Sequence, residues 1–309
     1  MQNHLRSFDL SRFALVEIAG SEAFAFLHGQ IPGDLNDLNA RGWMFSAWCQ
    51  PTGRVICTFI VFRQNHVLFL MLPATMKDRI IRRLAMYVLR ADVSIRDASA
   101  DHVLLGLQGI NIRDTDIFGP WTRSGMMLTA ESCSVLELWG LTPRCLLICK
   151  KDHRSLPDKI QQACNQENPV AWNLLDIEAG IPWITEPVSA AFLPQMLNLE
   201  QIQGLSYQKG CYPGQEVIAR LHYRGELKQK MFLGEGHGDI LPAPGTVLLR
   251  TDTGAKAGDV IDAAPHPDGS FRLLTVANIN EASALLHLQK APGTSITLQA
   301  LHYPSPPAT

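Results

Sequence analysis

The residues with the most distinctive chemistry lie between Gly204 and Arg224, in the stretch GLSYQKGCYPGQEVIARLHYR. Gly210, Pro213 and Gly214 bracket Cys211, Lys209 stands two residues before it, and a helical pattern over Gly214–Leu221 begins just after it. A nearby ammonium and the positive end of a helix both favour thiolate over thiol. Cys211 is therefore the candidate for a reactive or ligand-donating thiol; the competing reading is a small apolar filler in a turn. The other six cysteines have plainer settings. Cys145 and Cys149 fall in the strand-like CLLIC, and Cys49, Cys57, Cys133 and Cys164 have apolar or helical neighbours, where thiols are usually buried and inert. The odd total, with no CxxC and no Cys/His finger spacing, fits a reducing compartment better than a disulfide framework or structural zinc. From Lys209 to Lys230 the chain carries five Lys or Arg against two Glu, with Tyr212, His222 and Tyr223 available for stacking, the pattern of a weak tRNA contact.

These groups need a scaffold, and apolar periodicity describes one. Ser21–Leu27 reads as a short helix with Gly29 as its stop, and Thr75–Arg90 as a longer one whose Lys77, Arg79, Arg82 and Arg83 form a basic side, read as a solvated face with an RNA contact as the alternative. Ser155–Gln166 and Trp172–Gly180 read as two more helices. Between the helices, Val55–Phe62, Val67–Leu72, Val103–Leu107, Val135–Trp139 and Cys145–Cys149 have strand composition. Beyond Lys230, glycine and proline punctuate short apolar runs at Thr246–Leu249, Phe271–Ala277, Ala284–Leu288 and Ile296–Leu301, which predicts a small all-β barrel or sandwich. The tail Tyr303–Thr309, with three prolines, reads as loose.

With 309 residues, 46% hydrophobic and 18% charged, the composition is that of a globular chain of two or three domains, which excludes disordered, collagenous and coiled-coil classes. A net charge of -2 provides no global field toward nucleic acid or anionic membrane. The start, MQNHLRSFDLSRF, has no signal-peptide pattern, and the apolar run Val55–Phe62 is fenced by Arg54 and Arg63, so a cytoplasmic protein with no membrane partner is expected.

The segment from Lys209 to Glu216, KGCYPGQE, resembles the K-G-C-Y-x-G-Q-E signature of the YgfZ-type folate-binding proteins, relatives of the glycine-cleavage aminomethyltransferase. The likeness continues in FLHGQIPGDL at Phe26–Leu35, LDIEAGIPWI at Leu175–Ile184 and LPQMLNL at Leu193–Leu199. Within the signature, Gly210, Tyr212, Gly214, Gln215 and Glu216 match, and Pro213 departs from it in a way that suits a helix start. The resemblance implies an α+β fold of two intertwined ferredoxin-like modules over residues 1–229, followed by a β-barrel over 230–309, around a central opening that holds tetrahydrofolate. It places the pterin aromatics on Phe13, where tryptophan is common, and Trp172. Glu178 falls at the acid that accepts from the pterin 2-amino and N3–H edge, a geometry suited to a carboxylate.

Where the aminomethyltransferases carry their catalytic acid, in a G-x-V-I-D-D strand opening, this chain has Gly53-Arg-Val-Ile-Cys-Thr58. Cys57 and Thr58 replace both acids, so glycine-cleavage chemistry is not expected. Two readings follow. One, which the resemblance implies, is a folate-dependent accessory factor for iron-sulfur enzymes or their assembly proteins, including enzymes that modify tRNA, with Cys211 as functional thiol and Lys209 beside it. The other is a one-carbon transferase, for which Asp176 or Glu216 would have to serve as the acid or base.

Overall fold

The computed structural model describes residues 5–110, 121–130, 132–153 and 155–303. Two sheets and a barrel carry the molecule. The five-stranded sheet runs Trp43–Cys49, Val55–Gln64, Val67–Pro73, Phe13–Ala19, Ser94–Asp97, antiparallel throughout. The seven-stranded sheet runs Asn165–Glu167, Arg6–Asp9, His102–Gln108, Arg144–Lys150, Cys133–Leu138, Met127–Thr129, Thr122–Ser124, and its first pair alone is parallel. The chain lays Arg6–Asp9 in the larger sheet, builds the smaller one, and returns to the larger at His102.

Period-two alternation decides what each face buries. Phe13, Leu15, Trp43 and Phe45 point into the central core, and Leu136, Leu138, Leu146 and Ile148 from the larger sheet join the same core. Val16, Ile18, Met44 and Trp48 point the other way, under the helices Ala23–His28 and Lys77–Ala85, which contribute Leu27, Ile80 and Leu84. Helix Ser155–Ala163 covers the outer face of the larger sheet with Ile160. Helix Pro169–Glu178, capped by the Asn168 side chain on the Val170 N–H, adds Trp172 and Ile177 to the central core, to which the barrel adds Met231 and Leu274. This shared core is what holds the three parts against one another.

The barrel closes in the order Gln229–His237, Phe271–Asn278, Lys256–Pro265, Val247–Arg250, Leu286–Leu288, Ala291–Ala300, leaving no open edge. Phe232, Leu248, Val260, Leu273 and Ile296 fill it.

Three sequence expectations change. The helix expected over Thr75–Arg90 ends at Ala85, because the chain reverses toward Ser94–Asp97 through Leu89 at a left-handed φ of 48°. Its basic face is also partly committed, with Lys77 on Asp97 at 2.5 Å and Arg79 on Glu186 at 2.6 Å. Tyr303, expected in a loose tail, donates its hydroxyl to the Gly180 carbonyl at 3.2 Å, while residues 304–309 lie outside the described residues. Cys133 and Cys149, expected as separate inert thiols, are disulfide-bonded: antiparallel register places them directly opposite each other, with Cα atoms 4.1 Å apart. No helix among the described residues is long and apolar enough to cross a membrane.

Candidate functional site

The Lys209–Glu216 loop is pinned from both ends, and each pin uses a signature residue. Lys209 is 8% exposed and sends its Nζ into a cage of main-chain carbonyls, donating to Ile31 at 2.8 Å, to Gly33 at 2.9 Å and to His28. Three N–H donors therefore meet three acceptors on the exit of helix Ala23–His28. Burial pulls the ammonium down to about 8, partly offset by Asp34. Lys209 thus splices this loop to the Phe26–Leu35 segment, its charge turned toward those carbonyls. Serving Cys211 as a neighbouring cation is not its visible task.

At the other end Gly214 caps helix Gln215–Arg224 with φ +86°. Its Cα lies so close to the hairpin turn of Gln50–Gly53 that an added Cβ would stand 2.6 Å from the Gly53 Cα and 2.7 Å from the Gln50 oxygen. Only glycine fits both the angle and the approach. The helix starts after Gly214, so Pro213 precedes it instead of occupying its first turn. Tyr212 is 7% exposed and joins the central core, and Gln195 anchors the helix by donating to the Ile218 carbonyl at 2.7 Å. Gln215 is half-buried and Glu216 exposed at the first turn. Between the pins Cys211 is exposed, whereas Cys49, Cys57, Cys145 and Cys164 are buried. Burial pushes the Cys49, Cys57 and Cys145 thiols far up from their ordinary value. Gly210, next to Cys211, has no atom within 4 Å of where a Cβ would stand, so this side of the loop packs on nothing.

A second cluster forms where helix Pro169–Glu178 meets the barrel and the larger sheet. Asp176 is 1% exposed and accepts from Arg144 Nη1 at 2.7 Å and Trp183 Nε1 at 2.9 Å, with Arg12 Nη2 at 3.5 Å. Those donors occupy it, which removes it as a free acid or base. Burial lowers the Arg144 guanidinium, with Asp176 the main opposing influence. Asp262, from the barrel, lies near: Asn173 Nδ2 donates to it at 3.3 Å, and burial raises its carboxyl against the pull of Arg12. Glu178, at the helix end, has His266 at 3.8 Å as its one ion-pair partner among the described residues, so its carboxylate keeps acceptor capacity for a ligand edge that offers paired N–H donors.

The two aromatic candidates are placed differently from expectation. Trp172 is 1% exposed; it presses on the main chain at Gly106, where a Cβ would come within 2.5 Å of the ring, and the Arg144 guanidinium lies over it at 5.2 Å. Phe13 is 3% exposed, tilted against Trp183 at 4.6 Å with Arg12 over its ring at 4.6 Å, and it borders a cleft. Trp172 acts here as core packing and offers no open face, while Phe13 reaches a cleft wall. For tetrahydrofolate, the carboxylate of Glu178 therefore fits the requirement and the ring of Trp172 does not in this arrangement.

Thr58, at the position of the missing acid, is fully buried and donates to the Pro182 carbonyl at 2.6 Å while accepting from the Ile184 N–H at 3.0 Å. A hydroxyl can do both; a carboxylate could not donate. The basic stretch expected to contact RNA is also thinned, since Lys209 and Tyr212 point inward. His222 stacks on Tyr207 at 3.7 Å, and Tyr223 stays 68% exposed. The cleft beside them, about 580 Å³, is lined by Asp34, Asp37 and Glu200 with Arg41, a charge balance that repels phosphate. Arg144 as the partner of Asp176, Asp262 and the buried His102 escaped the sequence reading: Arg144 stands 32 residues from Asp176 and Asn173 stands 89 from Asp262, while His102 is covered by Phe69 from another strand.

Comparison with known proteins places this geometry in context. The family model described as the GCVT N-terminal domain matches residues 1–115. The chain is 30% identical over 301 residues to the tRNA-modifying protein YgfZ of Sodalis glossinidius, covering 95% of this chain and 92% of that one. Identity to the YgfZ protein of Klebsiella pneumoniae is 29%, covering 95% and 91%. The glycine cleavage system aminomethyltransferase T from Bartonella henselae superposes with a TM-score of 0.75 over 96% of this chain and 86% of that chain, at 14% identity, a likeness of fold.

Proposed function

The chain belongs to the YgfZ family of tRNA-modifying proteins, and from that premise we propose that it is a tetrahydrofolate-binding accessory factor for the assembly or maintenance of iron-sulfur enzymes, including those that modify tRNA, with Cys211 as its functional thiol. The observation that carries the reading is the contrast between Cys211 and the other described free cysteines: one thiol is presented on a doubly pinned loop and the others are buried. A soft sulfur held in a fixed position and open to approach suits a partner's metal cluster or an oxidant. Folate comes to this reading from the aminomethyltransferase-like fold, and the spare acceptors of Glu178 suit the amino and imino donors of a pterin.

The transferase alternative draws no support from the site. Thr58 braces the Pro182–Ile184 segment, Asp176 is occupied by Arg144 and Trp183, and Glu216 is exposed on the helix start. The deciding experiment measures iron-sulfur enzyme activity and tRNA thiolation in cells whose sole copy carries Cys211→Ala. A marked loss of both, with the protein present at normal level, is expected; wild-type values would refute a thiol mechanism. Turnover of the lipoyl-bound glycine-cleavage intermediate by the purified protein would reinstate the transferase.

A further inference from the structure

Four of the seven cysteines lie in one layer. Cys133, Cys145, Cys149 and Cys164 share the core between the outer face of the larger sheet and helix Ser155–Ala163, yet only Cys133 and Cys149 are joined. Five other cysteines stay free, so the bond is not part of a disulfide framework. Its place follows from the ladder. Lys150 donates its N–H to the Ser132 carbonyl at 2.9 Å, so the next pair along, Cys133 and Cys149, is a non-hydrogen-bonded one, where antiparallel strands bring side chains closest. The ladder runs on from there to Leu138 and Arg144, and it holds the two residues opposite each other whether or not their sulfurs are bonded. Opening the bond therefore leaves two thiols in place to close it again.

One of the two cysteines faces an opening. Cys133 is on the wall of a cleft of about 260 Å³, together with Ala130, Ser132, Ser155 and Leu156, whereas Cys149 is fully buried and does not line it. His153 lines the same cleft. Its Nδ1 stands 2.9 Å from the Asp152 carboxylate, which only accepts, so the proton of the neutral ring sits on Nδ1 and Nε2 is left as an acceptor. A sulfur on the wall, and a histidine base oriented by a carboxylate beside it, are the parts that thiol–disulfide exchange uses: entry to one sulfur and a group to take the incoming thiol's proton.

We propose that the Cys133–Cys149 bond is a thiol-exchange site whose substrate is a dithiol, attacked at Cys133 from this cleft with His153 as the base. The incoming thiol gives its proton to His153 Nε2, and its sulfur bonds to Cys133 Sγ while the Cys133–Cys149 bond breaks; the electron pair leaves on Cys149 Sγ, which takes up a proton. The second thiolate of the same reductant then attacks the reductant's own sulfur in the mixed disulfide, and Cys133 is released. Two electrons and two protons pass to the cysteines, and the reductant leaves as a disulfide. A disulfide of the same class closes the pair again by the reverse path. Cys211 and folate take no part, so the site stands apart from the function proposed above.

The test uses the full-length folded protein, with dithiothreitol as the dithiol, glutathione disulfide as the oxidant, acid quenching, and peptide mass spectrometry of alkylated thiols. In the protein purified in air, Cys133 and Cys149 are expected as a disulfide. Dithiothreitol should reduce it with the thermal transition still cooperative, and glutathione disulfide should restore it, while Cys145, fully buried in the same layer, stays unlabelled throughout. His153→Gln, at an exposed side chain, should slow the reduction at neutral pH by at least about fivefold. Left as single thiols, Cys133 in Cys149→Ser should be captured by glutathione disulfide at least about tenfold faster than Cys149 in Cys133→Ser. Should either core variant fail to fold, the rates of wild type and His153→Gln decide alone. Two free thiols in the air-purified protein, or a bond that yields only after urea has unfolded the chain, would overturn the proposal. Equal reduction rates for wild type and His153→Gln, or faster capture of Cys149 than of Cys133, would overturn it as well, because the cleft would then not be the entry.

Discussion

Gly214→Ala and Gly210→Ala change two glycines of one signature and should have opposite consequences. At position 214 the new Cβ would lie 2.6 Å from the Gly53 Cα and 2.7 Å from the Gln50 oxygen, and the backbone there has φ +86°. The left-handed angle costs an L-residue roughly 1–2 kcal/mol. Both close atoms are main chain of a tight turn closed by the Gly53 N–H on the Gln50 carbonyl at 2.8 Å, so no rotamer change relieves the overlap. Overpacking of this kind adds roughly 1–3 kcal/mol. The sum, about 2–5 kcal/mol, corresponds to a fall in Tm of roughly 5–15 °C for a chain of this size. At position 210 a Cβ meets nothing within 4 Å and the backbone angle is ordinary, so the change should stay within about 0.5 kcal/mol. Urea denaturation and thermal melting of the two variants beside wild type measure both numbers. Equal losses for the two variants, or a loss below about 0.5 kcal/mol for Gly214→Ala, would refute the claim that the loop is docked on the hairpin turn.

Native alkylation with iodoacetamide, read by peptide mass spectrometry, should label Cys211 first, while Cys49, Cys57 and Cys145 stay protected even in mildly alkaline buffer, because burial holds their thiols protonated. Lys209→Met strips the donor from three main-chain carbonyls and should cost about 2–4 kcal/mol in urea, with faster amide exchange at Ser206, whose N–H pairs with Pro32 beside the cage. Lys209→Arg should fail to restore it, since a planar fork cannot reproduce three converging donors. Burial raises the Asp262 carboxyl, so the folded state keeps its proton longer than the unfolded chain, and the contribution of this group is present at acid pH and lost as pH rises through the folded value. Asp262→Asn retains the acceptor for the Ala263 N–H and removes that loss; the stability gained over wild type should grow from acid toward neutral pH, and parallel urea midpoints across that range would refute it.

Much of this protein is written locally. The β-branched, aromatic and aliphatic composition of Val55–Gln64 and Cys133–Leu138 and the turn-punctuated runs after Lys230 mark strands and an all-β C-terminal part, because composition and turn residues are properties of neighbouring residues alone. The glycines flanking Cys211, and the replacement of two acids by Cys57 and Thr58, can likewise be read along the chain. What each group touches was decided elsewhere. Lys209 finds its carbonyls between 176 and 181 residues away, so its proximity to Cys211 in sequence suggested a partner that its side chain does not take. Trp172 has the type of a stacking residue, yet the sheet supplies Gly106 and Arg144 to cover it. Cys133 and Cys149 meet because strand register, set by the pairing of a whole antiparallel ladder, brings them opposite. His102 is buried only when Ala98 takes its Nδ1 and Phe69 packs its ring. Local periodicity specifies elements, while the environment that sets burial, charge and partner for a given side chain comes from segments far away in sequence, and only their packing determines it.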